Sequence, residues 1–97
     1  MFNYLLKIEY DGTKFVGWQS QKNGRSIQST IEKALKRVLK TQIRITGSGR
    51  TDKGVHALSQ YANFKSKKKI KEKKTFLNSI NFFLKKNYVS ILDIKTK

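Results

Sequence analysis

Apolar and polar positions alternate through "YLLKIEY": Tyr4, Leu6, Ile8 and Tyr10 fall on one side, Leu5, Lys7 and Glu9 on the other. A period of two predicts a strand. Asp11-Gly12 ends it in a turn, and a polar loop with Gly17, Asn23 and Gly24 follows. The period then changes. Behind Ser26, a good N-cap, Ile27, Ile31, Ala34, Leu35, Val38 and Leu39 recur at helical spacing. Lys36, Arg37 and Lys40 suit the dipole at the helix C-terminal end.

"QIRITG" predicts a short strand with Ile43 and Ile45 on one face, and a Gly-rich loop comes next. "HALSQYANFKS" predicts a third strand, with Leu58, Ala62 and Phe64 on one side and Ala57, Tyr61 and Asn63 on the other. Gln60 interrupts the first set, which leaves the inward side open. "KSKKKIKEKK" predicts a charged, solvated and mobile link. Thr75 is a candidate cap for a second helix, whose Phe76, Leu77, Ile80, Phe83 and Leu84 form an apolar stripe. Lys85, Lys86 and Asn87 suit its end. "YVSILDI" supplies a fourth strand.

The order strand, helix, strand, strand, helix, strand predicts the α+β class: a ferredoxin-like βαββαβ domain over 1–97. Right-handed crossovers place both helices on one face of a four-stranded antiparallel sheet and leave the other face open. RNA-recognition modules share this architecture, but architecture alone does not establish function.

Composition narrows the chemistry. Twenty-two Lys and Arg stand against six Asp and Glu, a formal net charge of +16. Such a surplus attracts polyanions; a Lys-rich genome bias is the competing reading, and the two are compatible. There is no cysteine, so disulfides and thiolate metal sites are excluded. A single histidine makes an all-protein zinc site a poor reading. No apolar run approaches the ~20 residues needed to span a bilayer. The start of the chain lacks a signal-peptide pattern, and a cytoplasmic protein without metal or cofactor is expected.

The chemically unusual stretch is "GSGRTDKGVHALSQYANFKS", which holds three of the six glycines. About eight residues between two short strands is more than a tight turn requires, so a shaped loop is expected. It is neither a dinucleotide fingerprint nor a phosphate-binding Gly-Lys-Ser/Thr loop. Asp52 lies between Arg50 and Lys53. One reading makes it a turn residue paired with Arg50. The other makes it an ionised carboxylate, held charged by its basic neighbours and able to act as nucleophile or base. The same cations suit a phosphate, which Arg can hold bidentately. His56 at the strand start reads as a hydrogen-bonded residue before a titrating one. Phe15 and Trp18 read as packing before base stacking.

"GSGRTDKGVHA" closely resembles the active-site motif of the TruA family of tRNA pseudouridine synthases. "IEYDGTKFVGWQSQ" and "GRSIQSTIEKAL" resemble that family's N-terminus in the same order, and "FLNSINFFL" sits where the family has its second helix. The resemblance implies isomerisation of uridine to pseudouridine at positions 38 to 40 of tRNA, in the anticodon stem-loop. It maps the family's nucleophilic aspartate onto Asp52. It maps the arginine that displaces and holds the target nucleotide onto Arg50, and a residue near the RNA onto Arg25. Lys53 stands where bacterial members often have alanine and is a further RNA-binding candidate. Attack falls on ribose C1′ or uracil C6, and the residues do not choose between them.

Family members are more than twice this length, work as homodimers and place the cleft between two similar halves. The resemblance therefore implies an N-terminal half without its C-terminal counterpart, and an isolated chain with little or no activity. Two other readings compete. A non-catalytic RNA-binding module predicts several aromatics on the open sheet face, where the third strand offers Tyr61. A basic ribonucleoprotein component explains the charge but not the Gly-rich aspartate loop.

Overall fold

In a computed structural model the structure describes residues 1–10, 26–47 and 57–96. The elements run β1 (Phe2–Tyr10), α1 (Ile27–Leu39), β2 (Ile45–Gly47), β3 (Ala57–Ser66), α2 (Lys73–Leu84) and β4 (Val89–Thr96). The sheet has four strands in the order β2-β3-β1-β4, and every neighbouring pair is antiparallel. One hydrophobic cluster joins the inward residues of the sheet to both helices, so α1 and α2 share a face. This is the expected α+β, ferredoxin-like arrangement.

The alternation in β1 works as read. Tyr4, Leu6, Ile8 and Tyr10 are buried, while Leu5 and Lys7 are half-buried and Glu9 is exposed on the other face. Ala62 and Phe64 identify the inward side of β3. Gln60 does not spoil that side, because its Oε1 accepts a hydrogen bond from the buried Tyr10 hydroxyl at 3.4 Å. In β4 a register shift opposite Lys7 and Ile8 sets three residues, Ile91 to Asp93, against two of β1. The bulge lets Ile91 and Ile94 both turn inward although they are three apart.

Helix α1 starts where its cap predicts. Ser26 is extended, and its Oγ accepts from the Ser29 amide at 3.1 Å. The helix stops at Lys40, whose amide donates to the Lys36 carbonyl at 2.9 Å from a left-handed conformation with φ of 60°. That conformation suits glycine and costs other residues roughly 1 kcal/mol or more. Lys40→Gly is expected to raise the unfolding free energy by about 0.5–1 kcal/mol, read by urea denaturation, after the extra freedom of glycine in the unfolded chain is deducted.

Two expectations need correction. Thr75 is not the cap of α2. The helix begins at Lys73 with Glu72 as N-cap, which makes no side-chain capping bond, and the Phe76 amide donates to the Glu72 carbonyl at 2.9 Å. The stripe itself is as expected: Phe76, Ile80 and Leu84 are buried, with Leu77 and Phe83 packed against the core. The charged link is also more than a solvated stretch. The Ile70 amide donates to the Tyr4 hydroxyl at 2.7 Å, and Lys68 Nζ donates to the Leu39 carbonyl at 2.9 Å. Ser66 is fully buried and closes a local turn with Lys68.

Both sheet edges are held by side chains of the helix that precedes the edge strand. On α1, Glu32 Oε2 accepts from the Ile45 amide at 3.0 Å, and Gln28 Nε2 donates to the Ile45 carbonyl at 3.1 Å. On α2, Asn81 does both jobs alone: its Oδ1 accepts from the Ile91 amide at 2.8 Å and its Nδ2 donates to the Ile91 carbonyl at 3.0 Å. These bonds occupy edge groups that otherwise invite another strand.

Candidate functional site

Asp52, Arg50, Lys53 and Arg25 lie in segments 48–56 and 11–25, outside the described residues, as do Phe15, Trp18 and His56. The described residues nevertheless show where those segments join the fold. Segment 11–25 follows Tyr10 and segment 48–56 leads into Ala57, and Tyr10 and Ala57 are register partners. Segment 48–56 also follows Gly47, in a strand that runs parallel to β1 with β3 between them. Segment 11–25 ends at Ser26, the buried cap of α1.

The direction of α1 follows from its edge contacts. Gln28 meets the Ile45 carbonyl, and Glu32, one turn later, meets the Ile45 amide, so α1 runs against β2. Its N-terminus therefore points to the end of the sheet that Tyr10 and Ala57 occupy. That end is a rim where both candidate segments enter and leave. The turn between α2 and β4 reaches the same rim, because Val89 pairs with Tyr10. It brings Lys85, Lys86 and a half-exposed Tyr88 with φ of 63°. Periodicity marks these residues only as a helix end, and their place beside the candidate segments comes from strand register.

The open face of the sheet is mostly polar. One row across it holds Thr46, Asn63, Leu5 and Lys95, and the next holds Tyr61, Lys7 and Asp93. Tyr61 is the single aromatic on this face among the described residues. The spaced aromatic set of an RNA-recognition module is thus not there.

Asp93 is the acid in these rows, and its charge is answered. The Lys73 ammonium donates to Oδ1 at 2.7 Å, and the Ile94 amide donates to the same oxygen at 2.8 Å. The Lys73 hydrogen bond, the Ile94 amide and the charges of Lys73 and Lys95 hold this carboxyl below its ordinary value of 3.8. A lowered carboxylate pKa stabilises the fold at pH above the ordinary value, and that stabilisation is lost as pH falls through the folded value. Asp93→Asn is expected to lower stability slightly at neutral pH and to flatten the acid limb of the stability curve. Urea denaturation repeated from neutral pH down to about pH 2 checks this, and the two proteins converge at the acid end.

Residues 7–90 match the tRNA pseudouridine synthase family, a span that contains both candidate segments. The chain belongs to that family. It is 48% identical to tRNA pseudouridine synthase A of Pelagibacter ubique over 97 residues, all of this chain and 39% of the relative. It is 50% identical to tRNA pseudouridine synthase A of Caldicellulosiruptor saccharolyticus over 93 residues, 96% of this chain and 37% of the relative. With tRNA pseudouridine synthase A of Aquifex aeolicus the identity is 47% over 87 residues, 90% of this chain and 36% of the relative. The chain spans less than two fifths of the length of these synthases. Among the described residues no three His, Cys, Asp or Glu side chains cluster as a metal site, and no helix is long and apolar enough to cross a membrane.

Proposed function

We propose that this chain forms the nucleophile-bearing part of a tRNA pseudouridine synthase, the part equivalent to the N-terminal half of its longer relatives. Its substrate is a uridine in the anticodon stem-loop of tRNA. The observation that carries the reading is the family match across residues 7–90, which takes in the Arg50-Thr51-Asp52 loop. The meeting of the residues that flank that loop and segment 11–25, Tyr10, Ala57 and Ser26, at one rim supports it.

The reaction is an isomerisation. The bond from ribose C1′ to uracil N1 breaks, a bond from C1′ to C5 forms, the proton leaves C5, and N1 gains one. Electrons and atoms balance without an oxidant or an added water. Asp52 is the nucleophile, kept anionic by Arg50 and Lys53. Arg50 holds the target nucleotide out of the stack, a displacement that costs about a few kcal/mol. Arg25 and Lys53 contact phosphates, and the +16 charge speeds the approach of the RNA. The working enzyme is a cytoplasmic homodimer of chains as long as the relatives.

These 97 residues on their own supply one wall of the cleft, so they turn tRNA over poorly. Purified chain is incubated with tRNA and pseudouridine is counted. Substantial product from this polypeptide alone contradicts the proposed division of labour between the halves.

A further inference from the structure

A groove of about 390 Å³ lies between α1 and α2, on the helical side of the molecule away from the open sheet face. Thr30, Lys33, Ala34 and Arg37 line one wall at helical spacing, and Phe83 and Asn87 line the other. Ala34, with only a methyl side chain, leaves the floor of the groove open. Among the described residues, no acid lines the groove. The one acid of α1, Glu32, is engaged with β2, and α2 has none.

The groove is built for an anion. The Arg37 guanidinium lies over the Phe83 ring, 5.3 Å from its centroid. Contact with the ring restrains the guanidinium, so less side-chain freedom is lost when it grips a phosphate. Lys33, one turn earlier on α1, adds a second cation. Beside them Phe82 is 66% exposed, with its ring edge-on to Phe83 and Lys85 Nζ 5.6 Å from its centroid. An exposed aromatic beside a cation is a stacking platform for a base. The groove also leads to the rim described above, because Asn87 lies in the α2–β4 turn that borders it.

We infer that the α1–α2 groove is a second RNA-binding site. Arg37 and Lys33 hold consecutive phosphates of an unpaired strand, and Phe82 stacks on one of its bases. The inference rests on the reading of this chain as an RNA-modifying protein, and it extends the contact surface from the rim onto the helical face.

The test is binding of a short labelled oligouridylate to the purified chain across a series of salt concentrations. Lys33→Ala with Arg37→Ala is expected to flatten the slope of log affinity against log salt by about 1.4, two contacts at about 0.7 each. Phe82→Ala is expected to weaken binding by about tenfold. All three residues are solvent-exposed, so the fold survives the substitutions. A matched pair on the α2 approach, Lys71→Ala with Lys74→Ala, removes equal charge and is expected to change the slope by less than half as much. An equal slope change in the two pairs overturns the inference, as does Phe82→Ala binding like the parent. A change confined to self-association, seen by sedimentation without RNA, overturns it in favour of a second copy of this chain. Failure of the isomerase reading shows in missing pseudouridine, and failure of the groove shows here.

Discussion

Asp52→Asn, made in a protein of the relatives' length that carries this sequence, is expected to abolish pseudouridine formation while tRNA binding survives. The amide keeps the shape of the carboxylate but has no charge and no usable lone-pair anion. The attack on C1′ or C6 then has no nucleophile, since the loop "GSGRTDKGVHA" contains no acid besides Asp52. Binding rests on phosphates and on the basic surplus, which the substitution leaves in place or slightly increases. The two readouts therefore separate: turnover falls by several orders of magnitude, and affinity changes by less than about threefold. Parallel loss of both identifies Asp52 as a structural turn residue, the competing reading of the same spacing.

The largest expected effect on stability comes from Leu6→Ala. Leu6 is fully buried in a central strand, with Ala62 and Ile94 as its register partners. It lies in one cluster with residues of both helices. Removing three carbons leaves a void beside an alanine, which cannot grow to fill it. Such sites cost about 3–5 kcal/mol. A domain of this size has roughly 5–15 kcal/mol in total, so the variant approaches its unfolding threshold. Urea denaturation measures the drop, and a loss below about 1 kcal/mol is incompatible with the sheet register described above.

The parts of the fold that the residues declare by themselves are those where one period rules. β1 reads directly because four buried residues alternate with the less buried Leu5, Lys7 and Glu9, and α1 reads directly because Ser26 precedes an unbroken stripe. The start of α2 is hidden because its first turn, Lys73 to Thr75, carries no apolar residue and so no period. The bulge in β4 breaks the alternation at Leu92 and Asp93, and only the neighbouring strand shows which residue is extra. The tie between the Ile70 amide and the Tyr4 hydroxyl spans 66 positions, a distance over which local patterning carries no information.

The site divides in the same way. Spacing alone leaves Asp52 between a turn and a nucleophile, and its assignment comes from several matching segments in order. The rim is a product of strand register, which brings Tyr10, Ala57 and Val89 together. The groove is equally invisible along the chain, because Arg37 and Phe83 each look like ordinary members of separate helices until the helices pack.

The most direct test uses tRNA labelled with tritium at uracil C5, since the new carbon–carbon bond expels the hydrogen at that position. A protein of the relatives' length with this sequence is predicted to release the label and leave pseudouridine in the anticodon stem-loop, and its Asp52→Asn variant to release none. Label retained by the parent protein, or released equally by the variant, contradicts the account.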